Sequence, residues 1–287
     1  MAKTLVNIGA SVRTRLLTFS KEHGQTFDLV LTRYAIERLL YRLSKSPAAD
    51  RFVLKGATLV MTWFDEPYRG TQDLDLLGHG DPAPEQLLAL FKTIFAAVEA
   101  DGVSFDVEGA AIRPIRENND YGGFRIRTTA EIGGARLPIT IDIGFGDATE
   151  PPPEPVVFPA LLDMPAPKLR GYARETVIAE KFEAIVSLGR ANSRMKDYFD
   201  IWMLSRTFSF DQSRLRQAIV ATFERRGTAI PTKTPDGLTA EFAADPLKQR
   251  QWAAFTRDLD VNAGGLNTVV ADIADFLLRT LENVGPT

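Results

Sequence analysis

Seven prolines fall between residues 151 and 167 (PPPEPVVFPALLDMPAP) and cut the chain into two unlike halves. Proline lacks the backbone N–H that a sheet ladder or a helix interior needs. Such a stretch is expected to cross between structural units. Residues 1–150 mix helical and strand patterns, whereas residues 168–287 read as mainly helical. The expected fold is α+β: helices and a mixed sheet over 1–150, a Pro-rich crossover at 151–167, and a helical domain at 168–287.

Residues 28–43 (DLVLTRYAIERLLYRL) repeat leucine and isoleucine at helical spacing, with Asp28 available as a cap. Arg33 and Glu37 stand four apart and are expected to pair on its outer face. Residues 52–54, 72–77, 103–108, 123–130 and 137–145 read as strands, and 57–64 and 86–100 as helices. In the second half, 174–188, 196–206, 211–226, 248–258 and 266–283 read as helices.

Composition removes several chemistries. The chain has no cysteine, which excludes disulfides, thiol catalysis and cysteine-bound zinc, and fits a cytoplasmic location. Its two histidines, His23 and His79, are too few for a histidine-based metal centre. Any metal is therefore held by carboxylates, which favours Mg²⁺ or Mn²⁺. No apolar run is long enough to span a membrane. A net charge of −3 gives no global sign of nucleic-acid binding.

The strongest chemical signal is Asp73-Leu74-Asp75-Leu76. Strand side chains alternate faces, so the aspartates share one face and the leucines enter the core. Two carboxylates about 7 Å apart along a strand repel each other, and a divalent cation removes that cost. In Ile139-Thr140-Ile141-Asp142-Ile143, Asp142 opposes the isoleucines. If these strands are neighbours, Asp142 is a third acid, and three acids suit two ions about 3.5–4 Å apart. An Asp-x-Asp pair also fits an ordinary solvated face, so its flanks matter. Lys55-Gly56-Ala57-Thr58 stands at a strand-to-helix turn, where backbone N–H groups, a lysine and a hydroxyl can meet a phosphate. Arg69 and Thr71 precede the aspartates.

In the helical half, Lys181 falls within the apolar arc of 174–188, with Glu180 and Glu183 outside it. It is either functional or a snorkelling side chain. Residues 196–206 are apolar nearly all round, so Asp197 is expected to be buried and to need a partner, with Lys181 and Arg194 the candidates. A structural salt bridge fits this pair as well as a catalytic one. Two groups of basic residues, Arg190/Arg194/Lys196 and Arg113/Arg116/Arg125/Arg127, fit either RNA contact or a solvated face.

Four motifs occur in order: Lys55-Gly56-Ala57; Arg69-x-Thr71-x-Asp73-Leu74-Asp75-Leu76; Ala179-Glu180-Lys181-Phe182-Glu183-Ala184; and Arg194-x-Lys196-Asp197-x-x-Asp200. Together they resemble the AbiEii/AbiGii toxin family of nucleotidyltransferases, which includes the MenT toxins, over roughly residues 10–210. Two positions depart from the family's habit: Ala57 follows Gly56 where a second glycine is frequent, and Thr71 stands where serine is common. The last 80 or so residues match no motif.

The resemblance implies a polymerase-beta-like nucleotidyltransferase core followed by a helical domain. It implies an NTP substrate, a tRNA 3′ end as acceptor and an antitoxin encoded next door. It implies Asp73 and Asp75 as metal ligands, Lys55, Gly56 and Thr71 as the nucleotide site, and Lys181 and Asp197 as essential partners; the flanking residues add Thr58 and Arg69 to the candidate nucleotide contacts. Asp142 is expected to complete the metal site, with the nucleotide held between sheet and helical domain. Two rival readings remain: transfer to a protein hydroxyl, and a nucleotide- or partner-binding module without catalysis.

Overall fold

The computed structural model describes residues 7–64, 73–80, 83–115, 122–257, 259 and 261–282. The chain divides into two units: residues 1–146 with 154–171, and residues 147–153 with 172–287.

The first unit runs α1 (Ile8–Glu22), α2 (Phe27–Lys45), β1 (Phe52–Lys55), α3 (Gly56–Val60), β2 (Asp73–Gly78), α4 (Pro84–Ala96), β3 (Val103–Phe105), β4 (Ala111–Ile115), β5 (Gly123–Ile132), β6 (Ala135–Phe145), β7 (Glu154–Val157) and β8 (Lys168–Gly171). The strands form one mixed sheet in the order β3-β5-β6-β2-β1-β8-β7, with β4 also paired to β5. β2 and β6 are parallel neighbours, β1 runs antiparallel to β2, and β5 antiparallel to β6. The β5–β6 hairpin turns at Gly133-Gly134, both at positive φ, the backbone that lets a two-residue turn follow strand twist.

The Pro-rich stretch does more than cross between units. Its residues 154–157 form β7, which pairs with β8 at the end of the sheet. Pro155 is tolerated there because an edge strand leaves one row of N–H positions unpaired. Residues 154–171 accordingly belong with the sheet, and the chain passes between the units more than once.

Helix α2 corrects a second expectation. Arg33 and Glu37 do not form an exposed pair: Arg33, Glu37, Arg38 and Arg42 are all buried. The helix packs on β5, β6 and β8 and against α1 and α4, so it has little solvent face. Arg42 and Glu37 have partners inside the protein. Arg42 grips Asp101 through two hydrogen bonds, of 2.6 and 3.1 Å. Glu37 accepts a 2.8 Å hydrogen bond from the Leu161 backbone and lies 2.6 Å from Arg38 Nη2, at an angle outside hydrogen-bond geometry for Oε1.

Burial raises the Glu37 carboxyl from 4.5 to about 6, against the attraction of Arg38. A folded pKa above the unfolded one means that this group stabilises the fold below pH 4.5, and that the contribution is lost as pH rises through about 6. Relative to Glu37→Gln, the parent is expected to lose about 2 kcal/mol of stability across that window. Chemical unfolding of both proteins at several pH values measures this, and a difference that does not vary with pH refutes it.

The second unit contains α5 (Arg174–Leu188), α6 (Met195–Thr207), α7 (Gln212–Arg226), α8 (Ala240–Ala244), α9 (Pro246–Thr256) and α10 (Leu266–Glu282). Asp211 caps α7 by accepting from Arg214 N, and Asp245 caps α9 by accepting from Leu247 and Lys248. Leu266, Val269, Val270, Ile273 and Leu277 form the buried stripe of α10, which packs on α6, α7, α8 and α9. No helix among the described residues is long and apolar enough to cross a membrane.

Candidate active site

The alternation read in β2 holds. Leu74 and Leu76 are buried, Asp73 is exposed and Asp75 half-buried on the opposite face. In β6, Ile139, Ile141 and Ile143 are likewise buried, with Asp142 on the other side. The two strands are neighbours, and Asp75 stands in register with Asp142. Paired residues in adjacent strands face the same way. The register extends outward: Lys55 of β1 pairs with Asp75, and Arg125 of β5 pairs with Asp142. One row across four strands therefore carries Lys55, Asp75, Asp142 and Arg125, a cation at each end and two acids between.

Asp142 is gripped by Arg125 through two hydrogen bonds, Nε to Oδ1 at 2.7 Å and Nη2 to Oδ2 at 2.6 Å. The Arg125 pKa is held above its ordinary value, first by that hydrogen bond, against the opposing effect of burial, and then by the charges of Asp142, Asp73 and Asp75. All three acids thus act on one guanidinium. Among the described residues, no three acidic or imidazole groups form a cluster ready to hold a metal ion. The Asp73/Asp75 pair fits a hard cation by its all-oxygen donor set, while both oxygens of Asp142 are committed to Arg125.

Gly56 is required by this arrangement. Its φ is +66°, and a Cβ placed there would lie 2.1 Å from Asp75 Oδ2. The glycine gives the Asp75 carboxylate its space at the end of β1. Gly56→Ala is expected to displace that carboxylate and to lower nucleotide transfer about 10²-fold, as a misplacement of about 1 Å does. Transfer assays with a thermal melt test this, and parental activity would show that the close approach is dispensable.

Thr58 is placed differently from a phosphate contact. It is buried, and its hydroxyl donates to the Asp73 carbonyl at 2.9 Å, bracing β2 from within. α3 is a single short helix of 5 residues, so the turn before it offers less than the sequence suggested. Arg69 and Thr71 lie outside the described residues.

In the helical unit, Lys181 Nζ lies 2.7 Å from Asp197 Oδ1 and 2.8 Å from Asp200 Oδ2. Both aspartates are fully buried, and Arg194 Nε pairs with Asp197 Oδ2. Burial pushes the Asp197 pKa up, but Lys181 and Arg194 outweigh it and leave the carboxyl below its ordinary value. Sequence reasoning found the Lys181–Asp197 pair and left Asp200 without a role. The signal was present: Asp200 follows Asp197 by three on one helix, the spacing that shares a face. Glu183 corrects another expectation, since it is buried rather than outside the apolar arc. Arg226, at 2.8 Å, and the Thr228 hydroxyl, at 2.6 Å, satisfy it.

The fold has solved counterparts. A nucleotidyltransferase candidate from H. pylori is 15% identical, with a TM-score of 0.50 over 91% of this chain and 100% of its own. JHP933 from Helicobacter pylori is 16% identical, with a TM-score of 0.50 over 90% of this chain and 94% of its own. No curated protein sequence matches the chain. The mixed sheet and the helical second unit share the fold of these two proteins. More particularly, residues 38–271 match the family described as nucleotidyl transferase AbiEii toxin, type IV TA system, and the chain belongs to that family.

Proposed function

We propose that this protein is a metal-dependent toxin that moves a nucleotide from an NTP onto an RNA acceptor, the 3′ end of tRNA, and so blocks translation. The observation that carries the reading is the placement of Asp73 and Asp75 on one face of β2 with Asp142 in register beside them. Asp73 and Asp75 would hold Mg²⁺ or Mn²⁺, with Asp142 beside them as the acid that Arg125 holds; a bound ion neutralises phosphate charge and lowers the pKa of an acceptor hydroxyl. Lys55 and Gly56 line the nucleotide side of the row, Lys55 as counter-charge and Gly56 as the gap that keeps Asp75 in place. Lys181 and Asp197 enter from the family resemblance as the helical unit's essential pair, with Arg69 and Thr71 as further nucleotide contacts. The hydroxyl oxygen attacks the α-phosphorus, the bond to the β-phosphate breaks, pyrophosphate leaves, and the hydroxyl proton passes to solvent.

A neighbouring antitoxin and a cytoplasmic location belong to the same proposal. The test is incubation with total tRNA, each labelled NTP and Mg²⁺. Label on RNA with release of pyrophosphate is expected. Label on protein alone would move the acceptor to a protein hydroxyl, and nucleotide binding with no label transferred anywhere would reduce the chain to a binding module.

A further inference from the structure

Strand β4 and its partner β5 build a basic hollow that no step of the proposed reaction uses. It has a volume of about 420 Å³ and is lined by Arg113, Arg125 and Arg127, with Ala111, Pro114 and Ile115 between them. The register explains the clustering. Arg113 pairs with Arg125, and Arg127 pairs with Ala111. Arg125 and Arg127 are two apart on β5, so they point to one face roughly 7 Å apart. That face also carries the acids, because Arg125 pairs with Asp142 and Arg127 with Thr140, itself in register with Asp73. Arg125 is engaged by Asp142. Arg113 and Arg127 are exposed, and among the described residues neither has an ion pair or hydrogen bond.

We infer that Arg113 and Arg127 form the seat for backbone phosphates of the acceptor strand, on the flank of the acidic row opposite Lys55. The inference rests on the proposed transfer reaction for its choice of ligand. In-line displacement places the attacking oxygen and the departing pyrophosphate on opposite sides of phosphorus. Lys55 and Gly56 occupy the β1 side of the acids, and the arginine hollow occupies the β5 side. The donor's phosphates belong with the first and the acceptor with the second. Arg113 of β4 and Arg127 of β5 are diagonal neighbours on that face, roughly 7–8 Å apart, which suits successive phosphates of a single strand, and the apolar floor at Pro114 and Ile115 suits a base or sugar edge. A folded protein acceptor offers no comparable row of anions.

The test uses the full chain with both arginines reversed, Arg113→Glu with Arg127→Glu, and with both changed to lysine. Fluorescein-labelled bulk tRNA is titrated by anisotropy from about 50 to about 200 mM salt, and a fluorescent ATP analogue with Mg²⁺ is titrated separately. The glutamate variant is expected to bind tRNA at least about tenfold more weakly, with a salt slope smaller by about 2. Its nucleotide affinity stays at the parental value, and lysine restores most tRNA binding. Parental tRNA affinity and slope in the glutamate variant would overturn the assignment. So would loss of nucleotide binding with tRNA unaffected, which would give the hollow to the donor. Binding is read without turnover, so the two ideas fail separately. tRNA held through these arginines by a protein that transfers nothing ends the proposed reaction and spares the seat. Transfer to RNA by a glutamate variant with parental tRNA binding ends the seat and spares the reaction.

Discussion

Asp75→Asn lowers nucleotide transfer by about 10²-fold or more, the cost of losing one preorganised electrostatic group at a transition state. The carboxylate is placed by three features that the substitution leaves intact: the β2 backbone, the Gly56 gap and the register with Asp142. Asparagine fills the same volume, so the change removes charge and not shape. The acidic face then keeps Asp73 and Asp142, and fold stability stays near the parent, with the melting temperature within about 3 °C. Any stabilisation of the parent by added Mg²⁺ should shrink in the variant, because a ligand that binds only the folded state raises stability by mass action. Labelled-NTP incorporation and melts with and without Mg²⁺ measure both effects. Incorporation at the parental rate by Asp75→Asn would remove the acids from the chemistry.

Lys181→Met acts in the opposite way, on stability first. It leaves Asp197 and Asp200 fully buried, with Arg194 still paired to Asp197 and the Lys181 contact to both aspartates lost. Breaking a buried ion pair by removing one partner costs roughly 3–5 kcal/mol. The helical unit's melting transition should fall by roughly 6–20 °C. Adding Asp197→Asn and Asp200→Asn in the same chain removes the stranded charges and should recover much of that loss without recovering transfer. Recovery of both would make the cluster purely structural. The acid limb gives a second readout. The folded Asp197 pKa lies below its ordinary 3.8, so its contribution is full above pH 3.8 and is lost as pH falls through the lower folded value.

The acids, the leucines behind them and the isoleucines of β6 were legible because strand alternation is a local, two-residue rule. The α10 stripe was legible for the corresponding helical reason. The burial of Asp197, and Lys181 as a candidate partner for it, followed from the apolar surroundings of each on its own helix wheel. Strand β4 was not legible. Its sequence AIRPI has no clear alternation and contains a proline, and it is a strand only because β5 offers a ladder. The same holds for β7, whose prolines read as linker until β8 lies beside it. Glu37 was misread because helix periodicity reports one packed face, while α2 is covered from several sides.

By itself, then, the sequence determined which residues lie in strands and helices with clean periodicity, which acids share a strand face, and which family the motifs resemble. Those properties depend on neighbours a few positions apart. Tertiary structure alone decided that Asp142 stands in register with Asp75, that Arg125 holds it, that Lys181 bridges two aspartates, and that Arg113 joins Arg127 in one hollow. Each of those depends on the register of strands or the packing of helices distant in the chain, and local preference carries no information about either.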